Sequence, residues 1–409
     1  FETGMLPDIK GVYRQDYLRH MGWDEEDRSV DAVLISHAHA DHAQYIHYLR
    51  TDIPIYSTKG TKTILQCLQD TGTGDNEFIN VCDAYTFYTN SKGTLSRVTK
   101  KNKDFVRLRD YNIMETGQRE IIGDVEVEMI PVDHSLPGAC GYIIYTDEGN
   151  IVYTGDIRFH GYNGHLSEEF VRKAKQATPK WMICEGTRIN SSDKDSEAGV
   201  CSRFKDIMSD ASGLVFVEHP VRDIDRAASI FKAAQECERE FVVNLKLAYL
   251  IEALGTMCPF SIDNVRILLP RKKWGLITRK GIERKLIDQD YDPWERDFID
   301  RENAITAEEL KLNPAKYVVS MSLWNINQLV DIQPEDAVWI KSSCEPFCEE
   351  MEIDEERKQN WLDHFGIDKY QAHASGHASG DEIRWMLDEI GAEVVIPVHT
   401  ENRDSFNYH

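Results

Sequence analysis

The sequence predicts an α/β protein in which one α/β domain is inserted into another. Through residues 214–365, short apolar segments alternate with amphipathic segments of helical length. On both sides of this region, other apolar segments end in histidine or aspartate. Short apolar strands between helices favour a parallel, doubly wound sheet. A chain of 409 residues is long enough for two or three domains.

The first informative element is the apolar strand at residues 33–35, followed by the segment SHAHADH at residues 36–42. A helix is predicted from about residue 43 to residue 50. Alternation places His37 and His39 on one side of the extended chain, whereas Asp41 and His42 begin the helix. Neutral imidazole and carboxylate are ligands that Zn²⁺ or Mn²⁺ prefers. A single buried histidine is usually a core residue, but this cluster is hard to explain by packing and predicts a metal site.

Three further apolar segments end in candidate ligands. Residues 125–130 precede His134, residues 152–154 precede Asp156, and residues 394–398 precede His399. Each one alone is weak support, because an Asp or His at a strand end is more often a cap or turn residue. Together they are stronger support for a metal site, because of their order along the chain after the first loop.

That order and the HxHxDH motif resemble the metallo-β-lactamase superfamily. The resemblance implies two divalent metal ions, with Zn²⁺ as the first candidate and Mn²⁺ as the alternative. Two ions about 3.5–4 Å apart can generate a nucleophile from water and stabilise the leaving oxygen of a displacement at phosphorus or carbon. The implied ligands are His37, His39 and His134 for one ion, Asp41, His42 and His399 for the other, and Asp156 between them.

The spacing of these candidates predicts the domain organisation. Six of them fall within residues 37–156 and the seventh is His399, so an inserted domain would occupy the interval. We predict domain boundaries at 1–190 and 367–409 for the first domain and 191–366 for the insertion. The predicted strands of the insertion are residues 214–217, 241–243, 265–269, 317–320 and 338–341, and its helices are 224–236, 247–254 and 354–365. Segments near 72–118 and 271–315 are predicted to be loops or small excursions.

Three more motifs make the resemblance more specific. They are CEGTR at residues 184–188, ASGHAS at 374–379 and IPVHTE at 396–401. With them the chain resembles the β-CASP branch of the superfamily, which contains ribonuclease J, the pre-mRNA 3′-end endonuclease and the Artemis nuclease. The resemblance implies an αββα sandwich with an inserted doubly wound α/β domain. It also implies hydrolysis of phosphodiester bonds in RNA or single-stranded DNA, and RNA is favoured because more of the family acts on it.

The resemblance also implies roles for individual residues. Asp41 would orient or deprotonate the nucleophile while binding a metal ion. His377 would protonate the leaving oxygen or bind the phosphate. Glu185 would not favour contact with phosphate, so we expect it to hold a ligand or His377 by a hydrogen bond. Ser375 and Gly376 precede a helix that starts near residue 379 and would suit an anion site at its N-terminus. Arg158 is a further candidate for substrate contact.

Two departures from the family pattern limit these implications. The strand pair that usually precedes the first loop is not found, so either the sequence is incomplete at its start or the first sheet is built differently. Ribonuclease J has a Gly-Ser-Gln-Gly-type turn where this chain has KSSCEP at residues 341–346. Ser342 and Ser343 could bind phosphate, but Glu345 would repel it. Trimming from a 5′ end is therefore less firmly implied than hydrolysis itself.

Composition limits the classes of partner. The net charge of −23 argues against a general nucleic-acid binder, although basic stretches occur at residues 100–109 and 271–285. No apolar stretch approaches the ~20 residues of a membrane span, so no membrane contact is expected. The nine cysteines are scattered and odd in number, which favours reduced thiols and a cytoplasmic location. A homodimer is kept as an open alternative.

Three other functions were weighed. A hydrolase of small esters, thioesters or lactones would share HxHxDH but would not generally carry the insertion or the Ser-Gly-His motif. A non-catalytic scaffold would be expected to lose ligands, whereas all seven positions here carry competent side chains. A flavodiiron-type redox site is disfavoured because its pattern replaces one loop histidine with an acid. The metal-dependent nuclease is the prediction.

Overall fold

A computed structural model describes residues 1, 3–23, 27–72, 76–99, 103–192 and 195–406. The strands β1 to β20 are, in order, Val33–Leu34, Ile55–Ser57, Asn80–Cys82, Phe87–Thr89, Leu95–Arg97, Val106–Leu108, Tyr111–Ile113, Arg119–Ile122, Val125–Pro131, Cys140–Tyr145, Ile151–Tyr153, Trp181–Glu185, Val215–Glu218, Glu240–Val243, Arg266–Leu268, Ala304–Ile305, Tyr317–Ser320, Val338–Lys341, Asp368–Gln371 and Val394–Val398. The helices α1 to α12 are Gln15–His20, Ala40–Ala43, Lys59–Thr71, Gly164–Gln176, Glu197–Asp210, Ile224–Glu236, Leu245–Leu254, Arg284–Ile287, Ala307–Leu312, Leu329–Ile332, Glu349–Phe365 and Gly380–Ile390.

Two facing sheets form the first domain. Strands β1, β2 and β7 make a parallel sheet, and the second sheet has the order β20-β12-β11-β10-β9-β8. Met129 and Tyr142 belong to the apolar layer between the two sheets. On the outer face of the second sheet, α4 and α12 pack through Phe170 and Met386. Helix α3 covers the first sheet through Ile64. This arrangement is the expected αββα sandwich.

The inserted domain is built on seven parallel strands in the order β16-β15-β14-β17-β13-β18-β19. Successive side chains of a strand point to opposite faces, so both faces of this apolar sheet need cover. Val217 and Ile340 face the core shared with α5, α6 and α7. Phe216 and Trp339 face the core that contains residues of α9, α10 and α11. The predicted doubly wound sheet is confirmed.

The two domains are packed together rather than linked by a flexible tether. Helices α3 and α7 are in contact, and one apolar core contains Leu65 of α3 and Leu247 of α7. The carboxyl end of β13 points towards the first domain, where Arg222 Nη1 donates to Ala38 O at 2.8 Å. The loop that contains the HxHxDH motif therefore touches the inserted domain directly.

Two local predictions were wrong. The helix predicted at residues 43–50 is only α2 followed by the 3-10 turn Gln44–Tyr48. Arg50 N donates to Val12 O at 3.0 Å, which draws the chain out of a helical path. Part of residues 72–118 forms strands, including β7 of the first sheet. The predicted domain boundaries stay a prediction. Strand β19 pairs with β18, so the inserted sheet extends past residue 366, and we propose that the insertion ends after Gln371.

The helices and basic stretches bear on possible partners. Among the described residues, no helix has both the length and the apolar character needed to cross a membrane. Of the basic stretch at residues 100–109, Lys100 and Lys101 lie outside the described residues.

Candidate metal centre

The loop after β1 presents the first four candidate ligands. Ile35 N donates to Tyr56 O at 2.9 Å, which keeps the chain extended beyond β1. His39 then caps α2 with an extended backbone (φ −69°, ψ 155°). The N–H groups of His42 and Ala43 both donate to His39 O, at 3.2 and 3.0 Å. His37 and His39 therefore precede the helix, whereas Asp41 and His42 lie on its single turn.

The other candidates follow strands that end at one edge of the second sheet. Strands β11, β12 and β20 are parallel, and β9 runs the same way because it is antiparallel to β10, which is antiparallel to β11. His134 follows β9, Asp156 follows β11 and His399 follows β20. His399 has a φ of 51°, in the left-handed region that non-glycine residues adopt uncommonly.

Four ligand atoms form the first group. His39 Nδ1 lies 3.1 Å from His37 Nε2 and 3.1 Å from His134 Nε2. Asp156 Oδ2 lies 3.4 Å from His37 Nε2 and 3.8 Å from His134 Nε2. All four atoms that these residues offer are within 4.8 Å of one another. Three imidazoles and one carboxylate surround a single point, as four-coordinate Zn²⁺ would require.

A second group adjoins the first. His399 Nε2 lies 2.8 Å and His42 Nε2 3.5 Å from Asp41 Oδ2. His42 Nε2 is also 3.3 Å from Asp156 Oδ2, the oxygen that adjoins the first group. The structure thus brings all seven predicted ligands together as two groups that meet at Asp156.

The donor atoms and their protonation fit metal ions. His42 Nε2 and Asp156 Oδ1 are buried and lack a hydrogen-bond partner in the described part of the chain, a costly state that a cation would relieve. Burial lowers the pKa of His39 to about 3 and holds the pKa of His134 well below its usual value. Burial would raise the pKa of Asp156, but the nearby imidazoles of His37 and His42 bring it below its usual value. Neutral imidazoles and an ionised carboxylate are the states that bind metal.

His399 and Asp41 form the more exposed side of the cluster. Their hydrogen bond raises the pKa of His399 to about 9, against the effect of burial, and lowers the pKa of Asp41. The proton on His399 would have to leave before this imidazole could bind a metal ion. Metal binding at the second group is therefore expected to release a proton.

Glu185 and His377 lie beside the cluster as a hydrogen-bonded pair. His377 Nδ1 donates to Glu185 Oε1 at 3.2 Å, and Glu185 is 1% exposed. Ile157 N and Thr187 N also donate to the Glu185 carboxylate, at 3.2 and 3.1 Å. Burial lowers the pKa of His377, but Glu185 more than offsets this and the pKa is raised overall. The carboxylate is thus held by backbone groups and in turn favours the protonated form of the His377 imidazole, next to the candidate metal ligands.

The Ser-Gly-His segment joins this pair to α12. His134 Nδ1 donates to Gly376 O at 2.6 Å, which leaves His134 Nε2 free to face the cluster. Ser375 Oγ accepts a hydrogen bond from His377 N at 3.2 Å. Ser379 caps α12 through a hydrogen bond from Glu382 N to its hydroxyl group. Ser375 and Gly376 lie where the sequence placed them, and their contact with substrate stays a prediction.

The predicted substrate contact of Arg158 is contradicted by its position. The side chain is 0% exposed and points into the domain interface. Its Nη2 donates to Asp225 Oδ2 at 2.6 Å, and its Nε to Asp133 Oδ1 at 3.4 Å. A guanidinium enclosed by carboxylates is not available to a phosphate, so we assign Arg158 a structural role.

Two residues near the site were not predicted. Thr187 Oγ1 lies 2.7 Å from His399 Nδ1 and 3.3 Å from His377 Nδ1. Arg222 holds the backbone of the HxHxDH loop through Ala38 O. Two sequence features could have pointed to them: Thr187 stands in the CEGTR motif, and Arg222 follows the carboxyl end of a predicted strand.

Comparison with known families agrees with this geometry. Residues 6–183 match the family described as beta-lactamase superfamily domain, and residues 368–407 match the Zn-dependent metallo-hydrolase RNA specificity domain. The first match covers the HxHxDH loop, His134 and Asp156, and the second covers His377 and His399. The chain belongs to the β-CASP, ribonuclease J-like branch of the metallo-β-lactamase superfamily.

Relatives of this β-CASP protein include several bacterial and archaeal proteins. It is 22% identical to ribonuclease J of Sinorhizobium meliloti, over 92% of this chain and 59% of that protein. It is also 22% identical to ribonuclease J 2 of Streptococcus pyogenes, over 93% and 61%, and to ribonuclease J of Pyrococcus abyssi, over 96% and 80%. The chain thus spans about three-fifths of the length of the two bacterial relatives.

A solved structure supports the fold alone. A protein of unknown function from Enterococcus faecalis V583 is 21% identical and superposes with a TM-score of 0.72, over 99% of this chain and 84% of that one. Together, the zinc-dependent family match and the cluster of His and Asp donors indicate that the β-CASP protein binds metal at this site.

Proposed function

We propose that this protein is a metal-dependent nuclease that hydrolyses phosphodiester bonds in RNA. The observation that carries the proposal is the meeting of seven metal-ligand side chains with the His377–Glu185 pair at one edge of the sandwich. The names of the relatives, ribonuclease J in three organisms quoted above, support RNA as the substrate. Because this chain spans only part of the longer relatives, its activity is a proposal of its own.

We propose that the site holds two divalent ions, with Zn²⁺ preferred and Mn²⁺ as the alternative. The two groups of ligands that share Asp156 support a pair of ions, and the predominance of imidazole donors supports zinc. When bound, such a pair supplies Lewis acidity towards phosphate oxygens and lowers the pKa of water.

The residues themselves would orient the reacting groups and move protons. Asp41 is the most accessible of the candidate ligands, with a side chain that is 57% exposed, so its carboxylate can orient the attacking water and accept its proton. His377 is 20% exposed and Glu185 favours its protonated form, so it can donate a proton to the leaving oxygen. General acid–base catalysis of phosphodiester hydrolysis uses one group that accepts the proton of the attacking water and one that protonates the leaving oxygen.

The substrate would approach the more exposed side of the cluster, formed by Asp41 and His399. We propose that Ser375 and Gly376 help to position the phosphate, because they precede the N-terminus of α12, where backbone N–H groups and the helix dipole favour an anion. The position of His377 between this segment and the metal ligands supports that orientation.

Location and assembly belong to the same proposal. The nine cysteines carry free thiols, which agrees with a reducing compartment, and we propose that the protein acts in the cytoplasm. The homodimer stays a prediction that light scattering of the purified chain would test.

The test uses 5′-labelled single-stranded RNA and the matching DNA, with Zn²⁺ or Mn²⁺ added to chelator-treated protein. An Asp41→Ala, His42→Ala variant is the comparison that we expect to be inactive. The matched control is Asp363→Ala, His364→Ala, an Asp-His pair exposed on α11. We expect metal-dependent cleavage of RNA by the wild type and the control but not by the first variant.

Two outcomes would overturn the proposal. Cleavage that persists in the Asp41, His42 variant would indicate a contaminating nuclease. Absence of cleavage of either polymer by metal-loaded protein would favour the small-ester hydrolase, which could then be assayed with thioester and lactone substrates.

A further inference from the structure

A buried arginine of the inserted domain reaches the segment that carries His377. Arg226 lies in the first turn of α6 and is 0% exposed. Its Nε donates to Glu197 Oε1 at 2.7 Å, and its Nη2 to Glu197 Oε2 at 3.1 Å. Such a two-pronged contact fixes the plane of the guanidinium and balances its charge.

The other hydrogen bonds of this guanidinium hold the segment through which the chain returns from the inserted domain to the first domain. Nη2 donates to Ala374 O at 2.9 Å. Nη1 donates to Ser342 O at 3.0 Å and lies 3.1 Å from His373 Nδ1. All three nitrogens of Arg226 are thus engaged, and the bond to Ala374 O comes three residues before His377.

The segment between Ala374 and Ala378 is therefore held at both ends. Ala378 N donates to Ile157 O at 2.7 Å, next to the metal ligand Asp156. Between these anchors, Gly376 O accepts the 2.6 Å hydrogen bond from His134 Nδ1. An ideal Cβ on Gly376 would lie 3.1 Å from His134 Cε1, so the segment approaches this imidazole closely. A shift at Ala374 would be transmitted to His134 and His377.

Arg226 is also connected to the first domain, through a series of buried charged side chains. Glu197, the partner of Arg226, is 0% exposed, and its Oε2 lies 3.8 Å from Arg158 Nη1. Arg158 in turn contacts Asp133, the neighbour of His134. The interface between the domains is therefore closed by buried ionic groups rather than by apolar contact alone.

We infer that Arg226 is a positioning residue, through which the inserted domain holds the 374–377 segment and so fixes the orientation of His377 and His134. This inference rests on the proposed function, because one of its readouts is RNA hydrolysis. Lysine cannot replace Arg226, since its single nitrogen cannot span Glu197, Ser342 and Ala374 at once. His160 Nε2 still donates to Ser375 O at 2.9 Å, so we expect displacement of the segment rather than its loss.

The test compares Arg226→Lys with Arg239→Lys in the full, zinc-loaded chain. Arg239 is also a buried arginine of the inserted domain, and it donates to Gly213 O at 2.9 Å and to Ala211 O, at the amino-terminal edge of the sheet. Both variants keep the charge and should lower the thermal unfolding temperature. Only Arg226→Lys should change the site.

Misplacement of a reacting group by about 1 Å costs on the order of 100-fold in rate. We therefore expect Arg226→Lys to lower kcat by about 10- to 100-fold and to leave KM within about twofold, because the groups affected act in the transition state. Zinc content should stay at the wild-type value. The ring N–H signal of His134, observed by NMR in ¹⁵N-histidine-labelled protein, should shift or exchange faster with solvent.

Three results would overturn the inference: an unchanged kcat, an unchanged His134 signal, or an equal loss of kcat in Arg239→Lys. If Arg226→Lys does not fold, the double variant Arg226→Gln, Glu197→Gln removes both charges together and should show the same loss. If the wild type cleaves no RNA, the proposed function fails, whereas the His134 signal still decides whether Arg226 positions the segment.

Discussion

Replacing Asp225 by asparagine should make the protein less sensitive to alkaline pH. Asp225 lies at the domain interface in a cluster with two arginines and three other carboxyl groups. The members of the cluster are Arg158, Arg226, Asp133, Glu197, Asp223 and Asp225. Because carboxyl groups outnumber guanidinium groups, they cannot all ionise without uncompensated buried charge. Burial, only partly offset by Arg158, raises the pKa of Asp225 to about 7.

The size and sign of the effect follow from that pKa. An aspartate in an unfolded chain has a pKa of about 3.9. Between this value and the folded pKa of about 7, the native state binds more protons than the unfolded state, so the free energy of unfolding falls as pH rises. The stabilisation is complete below about pH 4 and is lost as pH passes through 7. Between pH 5 and pH 8 the loss from this one group is about 2–3 kcal/mol at most.

Urea unfolding of wild type and Asp225→Asn at pH 5 and pH 8 would measure this difference. Effects of titrating groups outside this cluster cancel between the two proteins. We expect similar stability at pH 5, where Asp225 is neutral, and a more stable variant at pH 8. Asp331→Asn is the control, because it removes an aspartate from a surface ion pair with Arg271 and should not alter the pH dependence. A variant that is less stable than wild type at pH 8 would show that the ion pair with Arg158 outweighs burial and would refute the reasoning.

Further predictions concern the site itself. Glu185→Gln should lower kcat by about 10- to 100-fold with bound zinc unchanged, since it removes the charge that favours the protonated form of His377; kinetics and metal analysis would check both. Gly376→Ala should lower kcat by about tenfold, because the new methyl group would press on His134 at 3.1 Å, and an unchanged kcat would mean that the segment yields freely. Asp156→Asn should reduce bound zinc and abolish its stabilisation against heat; full occupancy by equilibrium dialysis would exclude the shared role of Asp156.

The residues of the candidate metal centre could be predicted from sequence because each stands at a recognisable local position. His37, His39, Asp41 and His42 share one loop, and His134, Asp156 and His399 each follow an apolar strand. Their order along the chain carried the resemblance to the metallo-β-lactamase superfamily, and that resemblance implied that they lie together. The strands and helices of the insertion, such as α6 and β17, were found at the same residues for a similar reason: their patterns are local and strong.

The contacts that depend on the tertiary fold could not be predicted. Nothing in the sequence distinguishes Arg158, enclosed at the domain interface, from an arginine that faces substrate. The roles of Thr187 and Arg226 depend on hydrogen bonds to segments about 150 to 210 residues away. The missing helix after α2 has the same cause, because Arg50 N bonds to Val12 O rather than within a helix.

The most direct test of the central claim is the chemistry of the product ends. Single-stranded RNA would be digested by the zinc-loaded protein in water enriched in ¹⁸O, and the fragments would be analysed by mass spectrometry. Hydrolysis by an activated water predicts one ¹⁸O in each new terminal phosphate and an unmodified hydroxyl on the other fragment. Fragments that end in a 2′,3′-cyclic phosphate without ¹⁸O would show attack by the RNA itself and would contradict a metal-assisted hydrolase.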